Sequence, residues 1–163
     1  MKITNATSSN AEPHPQAVAV LPKGFVLTGG GALVDWHGAG NLLTASYPND
    51  SNSWEARSKD HDISDPSKIT AFAVGLRPKN PKKQLHHSIK HAQGGLAAHP
   101  TAQVQLEPGW RLCGGGALDD WHGDGNLLTA SFPDGTGWSA AGKDHIHSDP
   151  AAITAYAIGV RDS

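Results

Sequence analysis

The chain is written twice. Residues 12–78 and 97–163 align with an offset of 85, which falls to 84 after a one-residue deletion between Pro48 and Trp54, and roughly 37 of the aligned positions are identical. A unit of about 65 residues lies near the lower limit for a self-sufficient core, so the two copies are expected to pack together or share one core. The duplication also supplies an internal comparison, because each residue has a twin at the matched position of the other copy. The organisation read from the rows is a flexible polar tail over 1–11, a first β repeat over 12–78, a linker over 79–96 and a second β repeat over 97–163.

Period-two alternation and turn chemistry assign both copies to the all-β class. Expected strands are Ala17–Leu21 or Gln103–Leu106, Phe25–Thr28 or Trp110–Cys113, Ala32–Trp36, Asn41–Tyr47 or Asn126–Phe132, Trp54–Ser58, and Ile69–Leu76 or Ile153–Val160. The last is apolar on both parities and should lie centrally in its sheet. Pro22-Lys23-Gly24, Pro48-Asn49-Asp50, Ser64-Asp65-Pro66 and Pro133-Asp134-Gly135 mark turns. Short strands separated in this way indicate an antiparallel β-sandwich or barrel, and the duplication suggests pseudo-twofold symmetry. The triple glycines, 29–31 and 114–116, read as bends where strands cross closely, and they lack the Lys-Ser/Thr and helix of a phosphate loop. Within the linker, Gln84 to Gln93 is the one segment that reads as a short helix.

Composition narrows the function. A net charge of -2 gives no general attraction to nucleic acid, and the basic stretch Lys79 to Lys90 lacks interleaved aromatics. No apolar run approaches the length needed to span a bilayer. Met1 to Pro22 has one Lys and no apolar core, unlike a secretory signal. One cysteine, Cys113, whose twin is Thr28, excludes an internal disulfide framework. Ser46 and Ser131 are matched but sit inside strands without a nucleophile elbow, so nucleophilic catalysis has little support. Lys59 and Lys143, each followed by Asp, read as local ion pairs on a wet face. Trp54 reads equally well as a core or a surface aromatic, and Trp36, whose loop is polar and glycine-rich, less readily as core.

Three elements survive in both copies while their neighbours drift. They are Asp35-Trp36-His37-Gly38-x-Gly40-Asn41 with Asp120-Trp121-His122-Gly123-x-Gly125-Asn126, Lys59-Asp60-His61 with Lys143-Asp144-His145, and His14-Pro15 with His99-Pro100. The first supplies a planar ring and hydrogen-bonding side chains between turn-permitting glycines, which is the chemistry of a shallow sugar site. The favoured expectation is therefore non-catalytic, lectin-like carbohydrate recognition of a glycan surface, with one site per repeat. Trp36 and Trp121 would stack on the sugar, while Asp35, His37, Asn41, Asp120, His122 and Asn126 would bond its hydroxyls. Two sites would add avidity. The second expectation is a metal-dependent enzyme holding Zn or Cu through His14, His37 and His61, with their twins His99, His122 and His145. The third is a structural surface or assembly module, oligomeric through an exposed apolar face.

The succession Gly-Gly-Gly-Ala, Leu-Leu-Thr-Ala-Ser-aromatic-Pro, Trp, Lys-Asp-His and Ile-Thr-Ala-aromatic-Ala resembles a β-rich module that occurs in tandem in secreted or surface-exposed bacterial proteins. The resemblance covers both repeats. It implies a β fold and a surface location. Cysteines often flank such modules at the first and last strands; here Thr28 and Cys113 stand at the first position, and Gly75 and Gly159 near the last.

Overall fold

The structure, a computed structural model, describes residues 1–80 and 83–162. Among them there are twelve strands and no helix: β1 (Lys2–Thr7), β2 (Gln16–Val20), β3 (Val26–Asp35), β4 (Asn41–Pro48), β5 (Ser53–Asp60), β6 (Lys68–Leu76), β7 (Leu85–Gln93), β8 (Thr101–Gln105), β9 (Arg111–Asp120), β10 (Asn126–Asp134), β11 (Gly137–Asp144) and β12 (Ala152–Asp162). Every pairing is antiparallel. In the first half, β1-β6-β3 faces β2-β5-β4; in the second, β7-β12-β9 faces β8-β11-β10. One further pairing, Ala45 with Leu118 and Ser46 with Ala117, joins β4 to β9 and makes a six-stranded sheet, β2-β5-β4-β9-β12-β7.

Each half is an antiparallel sandwich closed by small residues and one indole. Ala17, Ala19 and Leu21 pack with Leu27, Trp54, Ala56, Ile69, Ala71 and Ala73 in the first half, and Ile158 and Ile89 reach this core from the second. Val104, Leu106, Ala117, Ala140, Ile153, Ala155 and Ala157 do so in the second, with Trp138 against them. The alternation of β6, buried at Ile69, Ala71, Ala73 and Gly75, places one parity in this core, and both β6 and β12 are central in their sheets as their apolarity predicts. Trp54 is a core residue, and its Nε1 donates to Ser46 Oγ at 3.0 Å, as Trp138 Nε1 does to Ser131 Oγ at 2.8 Å. Ser46 thus satisfies a buried donor, whereas Ser131, which is exposed, bonds a half-buried one.

Four expectations are corrected. The tail expected over 1–11 carries β1, in which Ile3 pairs with Val74. The expected helix within the 79–96 linker is strand β7, in which Ile89 pairs with Ile158, the twin of Val74. An edge strand needs only one apolar parity against its neighbour, and the polar residues of both segments hid that pattern. The two strands expected on either side of Gly29-Gly30-Gly31 are one strand, β3, continuous through the glycines with a register shift between Leu27 and Gly29. The glycines mark close approach rather than a bend: a Cβ on Gly30 or Gly115 would run into the Trp54 or Trp138 ring. At the shift, Thr28 Oγ1 donates to Val74 O at 3.1 Å and its twin Cys113 Sγ to Ile158 O at 3.3 Å, so thiol and hydroxyl do one job. Finally, Lys59 lies on no wet face. It is 1% exposed.

Candidate functional site

The two tryptophan loops are built alike. Gly38 and Gly40 (φ 56° and 97°) and Gly123 and Gly125 (φ 53° and 84°) take left-handed conformations that glycine adopts without penalty. The amide of Gly40 donates to Asp65 Oδ2 at 2.6 Å, and that of Gly125 to Asp149 Oδ2 at 2.7 Å. Asp65 and Asp149 donate in turn from their own amides to Asp60 and Asp144. The Ser-Asp-Pro and Lys-Asp-His segments are therefore staples for the tryptophan loop, a role that reading Asp65 and Asp149 as turn starters missed.

The structure separates the residues expected to bind together. Asn41 and Asn126 are buried and their Nδ2 groups are spent on the fold, donating to Pro13 O at 2.9 Å and Ala98 O at 3.0 Å, and Asn126 also to Asp144 at 2.8 Å, while both Oδ1 atoms are buried without a hydrogen-bond partner. Asp35, Trp36 and His37 are exposed, Trp36 at 62%. Asp120 and His122 are exposed as well, but Trp121 is half-buried in the seam between the halves. Lys59 Nζ lies over its ring, 4.6 Å from the centroid, and donates to Asp124 O. His14 meets the same ring edge-on at 5.0 Å while its Nε2 stands 3.4 Å from Asp60 Oδ1.

Beside Trp121 the seam opens into a cleft of about 250 Å³, lined by His14, Gln16, Thr44, Arg57 and Ser58 from the first half and Asp119, Asp120 and Trp121 from the second, with Pro15. Thr44 Oγ1, Ser58 Oγ and both carboxylate oxygens of Asp119 are buried and have no hydrogen-bond partner. Unmade hydrogen bonds at buried polar atoms are costly, and these four atoms gather beside the hollow. Burial pushes the Asp119 carboxyl up to about 7; nearby Lys59 pulls it down, and Asp120 and Asp144 raise it further. Burial also lowers Lys59, against the fields of Asp149, Asp119, Asp124 and Asp60. Arg57 bonds Glu55 through Nε and donates from Nη2 to Tyr47 OH at 3.2 Å, which fixes the guanidinium at the cleft. Three of these cleft residues stand where the other copy has plainer ones: Arg57 for Ala141, Ser58 for Gly142, Asp119 for Val34. No signal in either copy alone could reveal the cleft, because it takes one wall from each half.

The histidines do not gather as expected within a repeat. His14 is held by Trp121 and Asp60, and His37, His99 and His122 are exposed. His61 instead meets its own twin: His145 Nδ1 and His61 Nε2 are 2.8 Å apart. Asp62 Oδ2 stands 3.5 Å from His61 Nε2, and Asp62 Oδ1 stands 3.5 Å from His147 Nε2. Donor atoms of His61, Asp62 and His145 lie within 4.8 Å of one another, the single group of metal-ligand spacing among the described residues. Tight turns aim them: Asp62 (φ 60°) and Ile146 (φ 66°) are left-handed, and Ile63 and His147 donate back to His61 O and His145 O at 2.7 and 2.8 Å. Cys113 is exposed as a residue, but desolvation of its thiol pushes it up to about 11, which makes it a poor nucleophile.

No protein-family model matches the chain, and no curated protein matches it significantly. Among the described residues, no helix is long and apolar enough to cross a membrane.

Proposed function

We propose that the protein is a non-catalytic recognition module that takes one small polyhydroxylated ligand, a sugar unit, in the cleft between its halves. The observation that carries this reading is the set of unpartnered buried polar atoms on Thr44, Ser58 and Asp119 beside the Trp121 indole. A pyranose matches that lining: hydroxyls that both donate and accept, and C–H faces suited to an aromatic ring. Arg57 and Gln16 donate to ligand oxygens; Asp119 and Asp120 accept from hydroxyls. The volume suits one ring, below the range of larger pockets. The site is thus single and shared, where the sequence suggested one per repeat. The two halves are read as homologous copies, supported by their identities and by the same strand pairings in each, and the cleft as what the doubled chain gained. A glycan array followed by titration of the best binder tests this. Arg57→Ala, which installs the residue found at Ala141, should weaken binding at least tenfold with the fold intact; unchanged affinity would remove the cleft from the account.

A second reading rests on His61, Asp62 and His145. Two imidazoles and a carboxylate at this spacing suit Zn or Cu, with His147 beside them as a fourth donor. Such an ion would pin the two halves together.

A further inference from the structure

The seam between the halves is one-sided. β4 pairs with β9, yet their twins β10 and β3 pair with no strand across the seam and end their sheets, β3 lying with Thr28 and Gly29 close to Gly114 of β9. A closed twofold contact would use both pairs. What remains is a spare copy of the strand-pairing residues, one half on β10 and the other on β3.

The spare parts match contact by contact. Ala45 and Ser46 of β4 pair with Leu118 and Ala117 of β9; their twins are Ala130, Ser131, Leu33 and Ala32. Tyr47 is 7% exposed, with its ring 5.1 Å from that of Tyr156; the twins Phe132 and Phe72 are both aromatic, and Phe132 is 48% exposed. Lys59 and His14 cover Trp121; Lys143 and His99 are exposed, as is Trp36. Leu33 is 59% exposed. The glycines add an independent observation. A Cβ on Gly114 would strike the Thr28 carbonyl and one on Gly116 the Ser46 carbonyl, so the seam demands glycine there. Gly29 and Gly31 are glycine too, with nothing within 4 Å of the place a Cβ would take. The Gly29 Cα is itself what a Cβ on Gly114 would approach, so the internal seam accounts for that glycine, whereas Gly31 has no such contact among the described residues.

We propose that these edges are an interface for a second copy of this chain: β10 of one molecule pairs with β3 of the next as β4 pairs with β9, Phe132 stacks on the neighbour's Phe72, and Lys143 and His99 cover its Trp36. Such a head-to-tail contact uses different surfaces on the two partners, so it does not close at a dimer. It also hides two exposed strand edges that would otherwise invite unspecific pairing. At this junction Ala141, Gly142 and Val34 replace Arg57, Ser58 and Asp119, so the contact is plainer than the internal seam and holds no polar cleft. The assembly does not depend on the ligand proposed above.

Sedimentation equilibrium over a wide concentration range tests it. The wild-type mass should rise past that of a dimer without a plateau. Gly31→Ala has room in the isolated chain but places a methyl against the neighbour's Ser131 carbonyl; Phe132→Glu puts a charge on the opposite edge. Each variant alone should fold, by circular dichroism, and associate at least tenfold more weakly. Mixed in equal amounts they should form a heterodimer and stop there, since each keeps one intact edge. A wild-type chain that is monomeric throughout, a closed dimer indifferent to Gly31→Ala, or a mixture that fails to pair would overturn the proposal.

Discussion

Asp119 gives the account its sharpest quantitative exposure. Its carboxyl is 2% exposed, both oxygens lack a partner, and burial raises it from an ordinary 3.8 to about 7. The folded chain therefore holds a proton that the unfolded chain has lost between those values. Stability drains away as pH climbs through that window and levels off above it. At about 1.4 kcal/mol per pH unit the ceiling is about 4 kcal/mol at pH 8 and about 1.6 kcal/mol at pH 5. Solvent at the cleft mouth should roughly halve both. Asp119→Val, which installs the residue the first copy carries at Val34, removes the group without emptying the site. Urea unfolding at both pH values should find the variant more stable than the parent, by about 1–2 kcal/mol more at pH 8 than at pH 5. A stability difference that is the same at both pH values would refute the placement of this carboxylate in a dry, unpartnered position.

Three other outcomes follow from the packing. Gly30→Ala and Gly115→Ala force a methyl into an indole and a backbone carbonyl, and each should lower stability by about 2–3 kcal/mol in chemical denaturation, where Gly31→Ala costs nothing measurable. Lys59→Ala uncovers Trp121 and strands the surrounding carboxylates, with an expected loss of about 2–3 kcal/mol, whereas its exposed twin Lys143→Ala should stay within about 0.5 kcal/mol. Zinc or copper titrated into metal-free protein should bind at one equivalent and raise the melting temperature, and His61→Ala together with His145→Ala should abolish both effects; binding that survives the double change would place the ion elsewhere.

The architecture was legible where local chemistry decides it. The apolar run Ile69–Leu76 and the turn residues at Pro22-Lys23-Gly24 specify a central strand and a corner within one copy. β1 and β7 were not legible, because an edge strand such as Lys-Ile-Thr-Asn-Ala-Thr needs little apolar pattern once a neighbour supplies the hydrogen bonds. The glycine triplets advertised close approach but not its object, since the Trp54 ring arrives from a distant strand. The tryptophan loop was found from its repetition, but the fates of Trp36 and Trp121 diverge through contacts across the seam that identical sequences cannot encode. Lys59 and Lys143 teach the same lesson: two identical tripeptides, one buried on an indole and one in water.

The claim that a cleft between the halves, rather than a loop on each, receives the ligand is tested most directly by comparing two single changes on one glycan-binding assay. Trp121→Ala should abolish retention while Trp36→Ala leaves it intact, with both variants folded by circular dichroism. Loss on Trp36→Ala with Trp121→Ala still binding would contradict the account and return recognition to the exposed loop of the first copy.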